Sequence, residues 1–280
     1  MTENIKGVDV SKHQGRINWA KVKNDGISFA MIRAGYGNGN KDRFFDENIK
    51  NATANGIKCG VYWFSYAYNA ETARKEAAAC LEIIRPYKID YPVAFDFEYD
   101  TVTYAKRLGI TVTKEIASEI ADIFLSTVKA AGYRVINYTN IDYYNNFFNS
   151  KVKEKYDVWL AAYRKKEPNY GQKIWQFTDS GKVDGISGKV DMNISHYENE
   201  KIGGDTVNVS LPVLKNGSKG NSVKAVQNLL IAKHYFCGKS GADGDFGTNT
   251  DNAVKRYQKD MGLTVDGIIG AATWKSILTT

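Results

Sequence analysis

Eight short apolar segments recur through the first 200 residues, and their spacing constrains the fold more than any other feature of the sequence. Helix-length amphipathic stretches separate the early segments, so strands and helices alternate. Such alternation gives parallel strands joined by helical crossovers, and eight strands suffice to close a compact barrel. The predicted strands are Lys6–Ser11, Phe29–Gly35, Cys59–Tyr66, Val93–Glu98, Arg134–Thr139, Asp157–Tyr163, Lys173–Thr178 and Lys189–Asn193, and the predicted helices are Phe44–Asn55, Glu71–Ile84 and Thr113–Ala131.

The last connections of the barrel are too short for helices. RKKEPNYGQ separates the sixth and seventh predicted strands, and DSGKVDGISG, with its Asp-Gly and Ser-Gly turn signals, separates the seventh and eighth. Loops of this kind favour hairpin-like connections between antiparallel strands. We therefore predict an α/β fold, an irregular TIM-like (β/α)5(β)3 barrel with five strand–helix units and a closure made of strands alone.

A change in composition near residue 200 predicts a second domain. ENEKIGGDTVNVS breaks the strand pattern and is typical of a linker. The expected organisation is a catalytic barrel over residues 1–198, a linker over 199–210 and a small helical domain over 211–280, with about three helices.

The predicted second domain contains an internal repeat. Asp243–Thr250 and Asp266–Thr273 share the pattern D-G-x-apolar-G-x-x-T. The Asp-Gly pair predicts a turn, the apolar residue a core contact, and the second glycine a tight approach before a helix.

The segment YPVAFDFEYD, residues 91–100, places two acids inside an apolar run. On a strand, Ala94, Asp96 and Glu98 share one face, while Val93, Phe95 and Phe97 share the other. A buried unpaired carboxylate is costly, so the acidic face must meet a polar site. The two carboxylates, roughly 7 Å apart along a strand, are close enough to raise one another's pKa. A solvated strand end or a cation site is the alternative.

Two further acids are expected at the same end of the barrel. Asp9 ends the first predicted strand, Asp191 lies in the last, and these two strands are neighbours in a closed barrel. Repulsion among four acids holds at least one proton near neutral pH. Cleavage of a glycosidic bond typically uses a protonated carboxylic acid beside an ionised one. The catalytic candidates are therefore Glu98, Asp96, Asp9 and Asp191.

Candidate substrate-binding residues surround these acids. Sugar rings present apolar faces that stack on aromatic side chains. The aromatic residues near the predicted mouth are Tyr36, Tyr62, Phe64, Tyr138, Tyr163 and Trp175, and we select Tyr62, Phe64, Tyr138 and Tyr163. Gln176 is expected to bond a sugar or an acid. Arg33 is a candidate for substrate contact, although pairing with an acid is its favoured role. His13 follows the first strand and lies near the predicted mouth.

The distribution of charge and the spacing of cysteines and histidines limit the ligands and partners that we expect this chain to bind. The net charge is +7; Lys and Arg number 28 against 25 acids in residues 1–200, and 9 against 5 in residues 211–280. The basic tail therefore favours a polyanionic surface such as nucleic acid, membrane or bacterial wall, and charge alone is equally consistent with a basic protein that binds none of them. Neither the three cysteines nor the three histidines have metal-site spacing, so we expect no metal and no cofactor. No apolar run is long enough to span a membrane, so membrane insertion is not expected.

Residues 5 to about 197 resemble family 25 of the glycoside hydrolases, the Chalaropsis-type lysozymes. The resemblance rests on GVDVSKHQG, FAMIRAGYG, CGVYWFSYA, VAFDFEYD and WQFTDSGKVDGISGKVDMN. It implies an N-acetylmuramidase that cleaves the β-1,4 bond between N-acetylmuramic acid and N-acetylglucosamine with retention. It also implies that Glu98 is the general acid/base, that Asp96 is the nucleophile or the stabiliser of an oxazolinium, and that Asp9 and Asp191 support them.

The tail resembles the type 1 peptidoglycan-binding domain, from LPVLKNGSKG to about Leu278, through its DGDFG and VDGIIG motifs. The resemblances imply peptidoglycan as the partner, with anionic wall polymers as a further one and no nucleic acid. The N-terminus MTENIKGVDV has no signal-peptide pattern. A phage or prophage endolysin, made in the bacterial cytoplasm and reaching the wall after release by a holin, is expected over a host autolysin.

Two alternative functions compete with the muramidase. A chitinase-like β-1,4-N-acetylglucosaminidase on a similar barrel usually has further Asp residues before D-x-E, where this chain has Val93 and Ala94. A non-catalytic wall-binding protein is the other alternative, and it would tolerate the loss of Glu98.

Overall fold

The computed structural model describes residues 5–197 and 211–279. The chain divides into two compact units, residues 1–205 and 206–280. The predicted linker, residues 199–210, lies outside the described residues, so the domain bounds 1–198 and 211–280 stay predictions.

The first unit is an eight-stranded closed barrel, as the sequence predicts. Pairing between the first two strands closes it, and a two-residue strand, β3, adds a short edge to β2. The strands are β1 Ile5–Val10, β2 Phe29–Tyr36, β3 Asn40–Lys41, β4 Lys58–Phe64, β5 Val93–Asp96, β6 Val135–Asn140, β7 Asp157–Ala161, β8 Ile174–Gly181 and β9 Val190–Ser195.

Five strand–helix units precede three strands without helices, which confirms the irregular (β/α)5(β)3 arrangement. The helices are α1 Trp19–Asn24, α2 Phe45–Ala54, α3 Ala70–Ile84, α4 Tyr99–Arg107, α5 Lys114–Ala130, α6 Ile141–Asn146 and α7 Ser150–Lys155, with a 3-10 turn at Lys12–Gln14. The prediction missed α1, α4, α6 and α7. All four are short, and a few residues carry too little periodicity to reveal a helix.

One predicted connection is wrong. β9 is antiparallel to β8, as expected, and it is also antiparallel to β1, but β7 and β8 are parallel. Residues 162–173 lie between their paired segments. About a dozen residues is long enough for the chain to return and start a parallel strand without a helix.

Alternation along the strands separates the barrel interior from the layer under the helices. Val93 and Phe95 of β5 belong to the large apolar core between barrel and helices, whereas Ala94 belongs to the cluster inside the barrel. Burying an apolar side chain of this size contributes about 1.5–3 kcal/mol, so the outward face fixes the strand orientation. Asp96, two residues after Ala94, is thereby turned to the inside at the carboxyl end of β5.

The second unit contains three described helices, α8 Asn221–Ala232, α9 Thr248–Asp260 and α10 Ala271–Thr279. The apolar residue of each repeat, Phe246 or Ile269, is fully buried, as predicted. A buried glutamine clamps each repeat. Gln227 Nε2 donates to Asp245 O and Thr250 Oγ1, both at 3.0 Å, and Gln258 Nε2 donates to the matching atoms of the second repeat.

The predicted role of the second glycine in each repeat is wrong. A methyl group on Gly247 or Gly270 would meet no atom within 4 Å. The close approach occurs at the first glycine of the second repeat, because a methyl group on Gly267 would collide with Asp251. Gly267 also has φ +74°, which disfavours other residues.

Candidate active site

Glu98 is not part of the strand that precedes it, which corrects the predicted strand Val93–Glu98. β5 ends at Asp96, and Glu98 is the residue before α4, with extended backbone angles (φ −129°, ψ −176°). Its N–H donates to Thr101 Oγ1 at 3.2 Å, and that hydroxyl donates to Ser65 O at 2.6 Å. Ser65 N in turn donates to Asp96 O at 2.8 Å. The strand end and the helix start are thus tied together, which fixes both carboxylates.

Asp9 and Asp191 are brought together by strand register. They are paired residues in the antiparallel contact between β1 and β9. Asp9 is 6% exposed, and its Oδ2 accepts hydrogen bonds from Gln176 Nε2 at 2.9 Å and Asn193 Nδ2 at 2.7 Å. Trp159 Nε1 donates to Asn193 Oδ1 at 2.8 Å, which orients the amide towards Asp9.

A cavity of about 340 Å³ opens at the carboxyl ends of the parallel strands. The predicted site residues that line it are Asp9, Arg33, Tyr62, Phe64, Asp96, Glu98, Tyr138, Gln176 and Asp191. Tyr163 does not line it, but its hydroxyl donates to Gln176 Oε1 at 3.0 Å, as does the Tyr138 hydroxyl. The structure therefore gathers the predicted residues in one place.

Burial and repulsion raise the pKa of both Asp96 and Glu98. Asp96 lies well above its ordinary range because burial and then the Glu98 and Asp9 charges disfavour its ionised form. The pKa of Glu98 is raised mainly by burial, with Asp100 and Asp191 adding to it, and a hydrogen bond from Tyr138 opposes them. The hydrogen bond between the two carboxyl groups raises the pKa of Asp96 and lowers that of Glu98, so Asp96 is the member of the pair that keeps the proton.

The pKa values of the second pair, Asp9 and Asp191, are raised for similar reasons. Burial and then the charge of Asp191 raise the pKa of Asp9 well above its usual value, although Asn193 and Gln176 stabilise its ionised form. Burial raises the pKa of Asp191 too, and its hydrogen bond with Asp9 lowers it. Each pair combines a group that retains a proton with a neighbour that accepts a hydrogen bond, which is the requirement for acid–base chemistry near neutral pH.

Two residues that were predicted near the barrel mouth make contacts other than the predicted substrate contact. Trp175 faces outwards, in the cluster with Val158 and Leu160, and its Nε1 donates to Ala162 O at 2.8 Å. Arg33 does line the cavity, but its Nη2 lies 2.7 Å from Asp42 Oδ2, in the acid pairing that the sequence favoured.

Sequence reasoning missed four residues of the site. Ser11, Gln14 and Trp159 line the cavity, and Asn193 lies behind Asp9. Period-two alternation was the available signal: Asn193 follows Asp191 by two residues, and Trp159 lies between Val158 and Leu160, which face outwards.

A second cavity, of about 420 Å³, contains aromatic and charged side chains, among them Tyr66, Tyr104, Asp100 and Arg107. Tyr66 lies between the two cavities, with its ring centroid 5.2 Å from that of Phe64 and 5.2 Å from that of Tyr104. Aromatic surface therefore continues outwards from the acids.

Over residues 5–197 and 211–279, no helix is long and apolar enough to cross a membrane. The same residues contain no group of three or more potential ligands arranged to hold a metal ion.

A barrel with paired carboxylic acids at the carboxyl ends of its strands is an arrangement typical of glycoside hydrolases. The chain belongs to family 25 of the glycosyl hydrolases, whose sequence model matches residues 8–186, and a putative peptidoglycan-binding domain matches residues 219–277. It is thus a lysozyme-type enzyme that hydrolyses peptidoglycan.

Known proteins resemble the whole chain and each of its parts. An autolytic lysozyme of Clostridium acetobutylicum is 30% identical over 275 residues, which cover 96% of this chain and 77% of that protein. The solved lysozyme of Streptomyces coelicolor is 26% identical, with a TM-score of 0.60, over 72% of this chain and 96% of its own. An N-acetylmuramoyl-L-alanine amidase of Bacillus licheniformis, CwlL, is 48% identical over 65 residues, 23% of this chain and 18% of that protein.

Proposed function

We propose that the barrel cleaves the β-1,4 bond between N-acetylmuramic acid and N-acetylglucosamine with retention, using Glu98 as general acid/base. The observation that carries this proposal is the hydrogen-bonded pair of Asp96 and Glu98 in the cavity at the strand ends. Glu98 gives its proton to the departing sugar oxygen and then takes a proton from the incoming water.

The contact between the two carboxyl groups favours retention. An inverting enzyme holds its carboxyl groups roughly 6.5–9.5 Å apart, so that a water molecule fits between one of them and the sugar. Asp96 and Glu98 are within hydrogen-bonding reach, which leaves no such space.

Asp96 is positioned to meet the positive charge that develops at the sugar. It is 4% exposed, and its Oδ1 has no hydrogen-bond partner among the described residues. This oxygen is available to attack the anomeric carbon as nucleophile or to stabilise an oxazolinium formed by the substrate's acetamido group. The substrate-free pair keeps its proton on Asp96, so the proposed reaction begins when this proton passes to Glu98, which leaves Asp96 ionised.

The remaining predicted residues support the acids and hold the glycan. Asp9 and Asp191 tune the pKa of the central pair, since each adds charge near it. Tyr62 and Phe64 supply aromatic surface for sugar rings. Gln176 links Tyr138 and Tyr163 to Asp9 and keeps these side chains in place.

The helical unit is the proposed wall anchor. A wall-binding unit tethered to a wall-cutting one raises the local concentration of substrate. Its excess of cations, 9 against 5 acids in residues 211–280, suits anionic wall polymers. Release to the wall through a holin, as for a phage endolysin, belongs to the same proposal and rests on the sequence resemblance.

Digestion of purified wall, followed by identification of the new ends, tests the reaction. We expect reducing ends of N-acetylmuramic acid that keep the β configuration in the first product. Reducing ends of N-acetylglucosamine would indicate the chitinase-like specificity, and binding without release of fragments would indicate a wall-binding protein.

A further inference from the structure

A third cavity, of about 370 Å³, lies beside the catalytic one and contains mostly cationic side chains. Its lining residues are Lys12, His13, Tyr36, Lys41 and Arg43, and His13 lines the catalytic cavity as well. The 3-10 turn after β1 supplies Lys12 and His13, while the chain between β3 and α2 supplies Arg43. Two segments that are distant in sequence thus place positive charge next to the proposed cleavage point.

Two of these cations remain available to a ligand. Lys41 is bonded to Asp46 at 2.5 Å, whereas neither Lys12 nor Arg43 has a carboxylate within ion-pair distance in the part of the chain that the structure describes. Lys12 Nζ lies 5.3 Å from the centre of the Tyr36 ring, which holds the ammonium group at the cavity.

The nearby acid is turned away from the cavity. Asp42, between Lys41 and Arg43, is 2% exposed and accepts hydrogen bonds from Arg33 Nε and the Lys12 and Phe44 backbone N–H groups. The negative charge of Asp42 is therefore paired with groups inside the protein and not with a ligand in the cavity. Burial and then the charges of Arg33 and Lys12 lower the pKa of His13, in agreement with positive potential at this point.

We propose that this cavity binds a carboxylate of the peptide stem that peptidoglycan carries on its muramic acid. The inference rests on the proposed function, because it concerns the substrate of the same site. The sugars of the glycan are neutral, so the stem carboxylates are the anions nearest to the bond that is cut. Two unpaired cations beside the cleavage point match such a group, and chitin, which lacks stems, offers nothing to them.

The test compares two stem-bearing glycans of equal length, one with free stem carboxylates and one whose stem carboxylates are amidated, because enzymatic removal of the stems would expose the lactyl carboxylate of muramic acid. We expect the protein to favour the glycan with free stem carboxylates about tenfold in kcat/KM, as one charge-assisted contact provides, and the preference to weaken in high salt. In the Lys12→Gln/Arg43→Gln form, the ratio between the two substrates should fall towards one. The control Arg74→Gln/Lys129→Gln removes equal charge from exposed helix positions and should keep the ratio.

Calorimetry on the Glu98→Gln form measures the affinity for each of the two glycans in the absence of cleavage. A failure of the muramidase proposal is thereby distinguished from a failure of stem recognition. Equal affinity for both glycans, or an equal loss on both in the double variant, overturns the inference. A preference that disappears when wall phosphodiesters are stripped from both glycans also overturns it, and that result assigns the cavity to phosphate.

Discussion

Asp9 and Asp191 lie directly opposite each other across the antiparallel pair of β1 and β9, at the mouth of the barrel. A sheet normally avoids two acids in this relationship, since like charges on paired residues destabilise it. Here Gln176 and Asn193 both donate to Asp9 Oδ2, and burial keeps a proton on the pair. The negative charge of Asp191 lies near Glu98 and contributes to the raised pKa of that carboxyl group.

Removal of the proposed proton donor should abolish cleavage without abolishing wall binding. We expect Glu98→Gln to lower kcat on purified wall by about 10³-fold or more, because the leaving oxygen loses its proton source. Release of reducing ends measures the loss, and sedimentation with walls measures binding. Glu119→Gln, which changes an exposed acid on α5, is the control, and near-normal activity of Glu98→Gln would contradict the assignment.

Asp191→Asn should shift the alkaline limb of the activity profile to lower pH. The charge of Asp191 helps to raise the pKa of Glu98, so its removal lowers that pKa. Glu98 must carry a proton to act as the acid, and activity is lost as pH rises through its pKa. The pH dependence of kcat/KM measures the shift. Asp184→Asn, at an exposed position, should leave the limb in place.

Tyr138→Phe should move the same limb in the opposite direction. The hydrogen of the Tyr138 hydroxyl can go to Gln176 Oε1 or to the Glu98 carboxylate, and in the second case it stabilises the ionised form of Glu98, so the variant raises the pKa of Glu98. Tyr163→Phe is the matched control, because that hydroxyl also donates to Gln176 Oε1 but does not bond Glu98. A limb that stays unchanged in Tyr138→Phe, or that moves equally in both variants, would rule out this role.

Glu76 of α3 should make the barrel less stable as pH rises. It is 3% exposed and accepts a hydrogen bond from Tyr66 N at 2.9 Å, and burial raises its pKa to about 7. The native state therefore keeps a proton that the unfolded state loses near pH 4.5, so stability is full below pH 4.5 and falls until about pH 7. The decrease amounts to about 3 kcal/mol.

Glu76→Gln should remove that part of the decrease. Denaturant unfolding at pH 5 and pH 8 measures it, as the difference between the two proteins, since the active-site acids contribute with the same sign. Glu71→Gln, at an exposed position on the same helix, should retain the full decrease. Equal decreases in Glu76→Gln and the parent protein would contradict the prediction.

Gln227→Leu should destabilise the helical unit by about 2–3 kcal/mol. The variant leaves Gly244 N, which donates to Gln227 Oε1 at 2.8 Å, without its partner, and it removes one hydrogen bond from the Asp245 carbonyl, to which Gly247 N still donates. Thermal unfolding and wall sedimentation measure the effect, which should spare activity on a soluble glycan. Asn228→Leu replaces an exposed amide on α8 and should have little effect. Unchanged stability of Gln227→Leu would show that the clamp is dispensable.

The sequence by itself determined the barrel, the strand-only closure, the repeat and the four acids. Each depends on local information: period-two alternation with apolar residues on one face, connection length, and turn-forming Asp-Gly pairs. The convergence of Asp9 and Asp191 also followed, because a closed barrel makes its first and last strands neighbours.

The tertiary structure alone decided how these parts fit together. Glu98 lies on a helix start because Thr101 bonds its backbone and Ser65, and the amides of Gln176 and Asn193 converge on Asp9 from other strands. The parallel pairing of the consecutive strands β7 and β8 and the cationic cavity, which joins residues near 12 with residues near 43, likewise depend on how separate segments pack. Register and side-chain packing set these distances, and neither is encoded in any short stretch of chain.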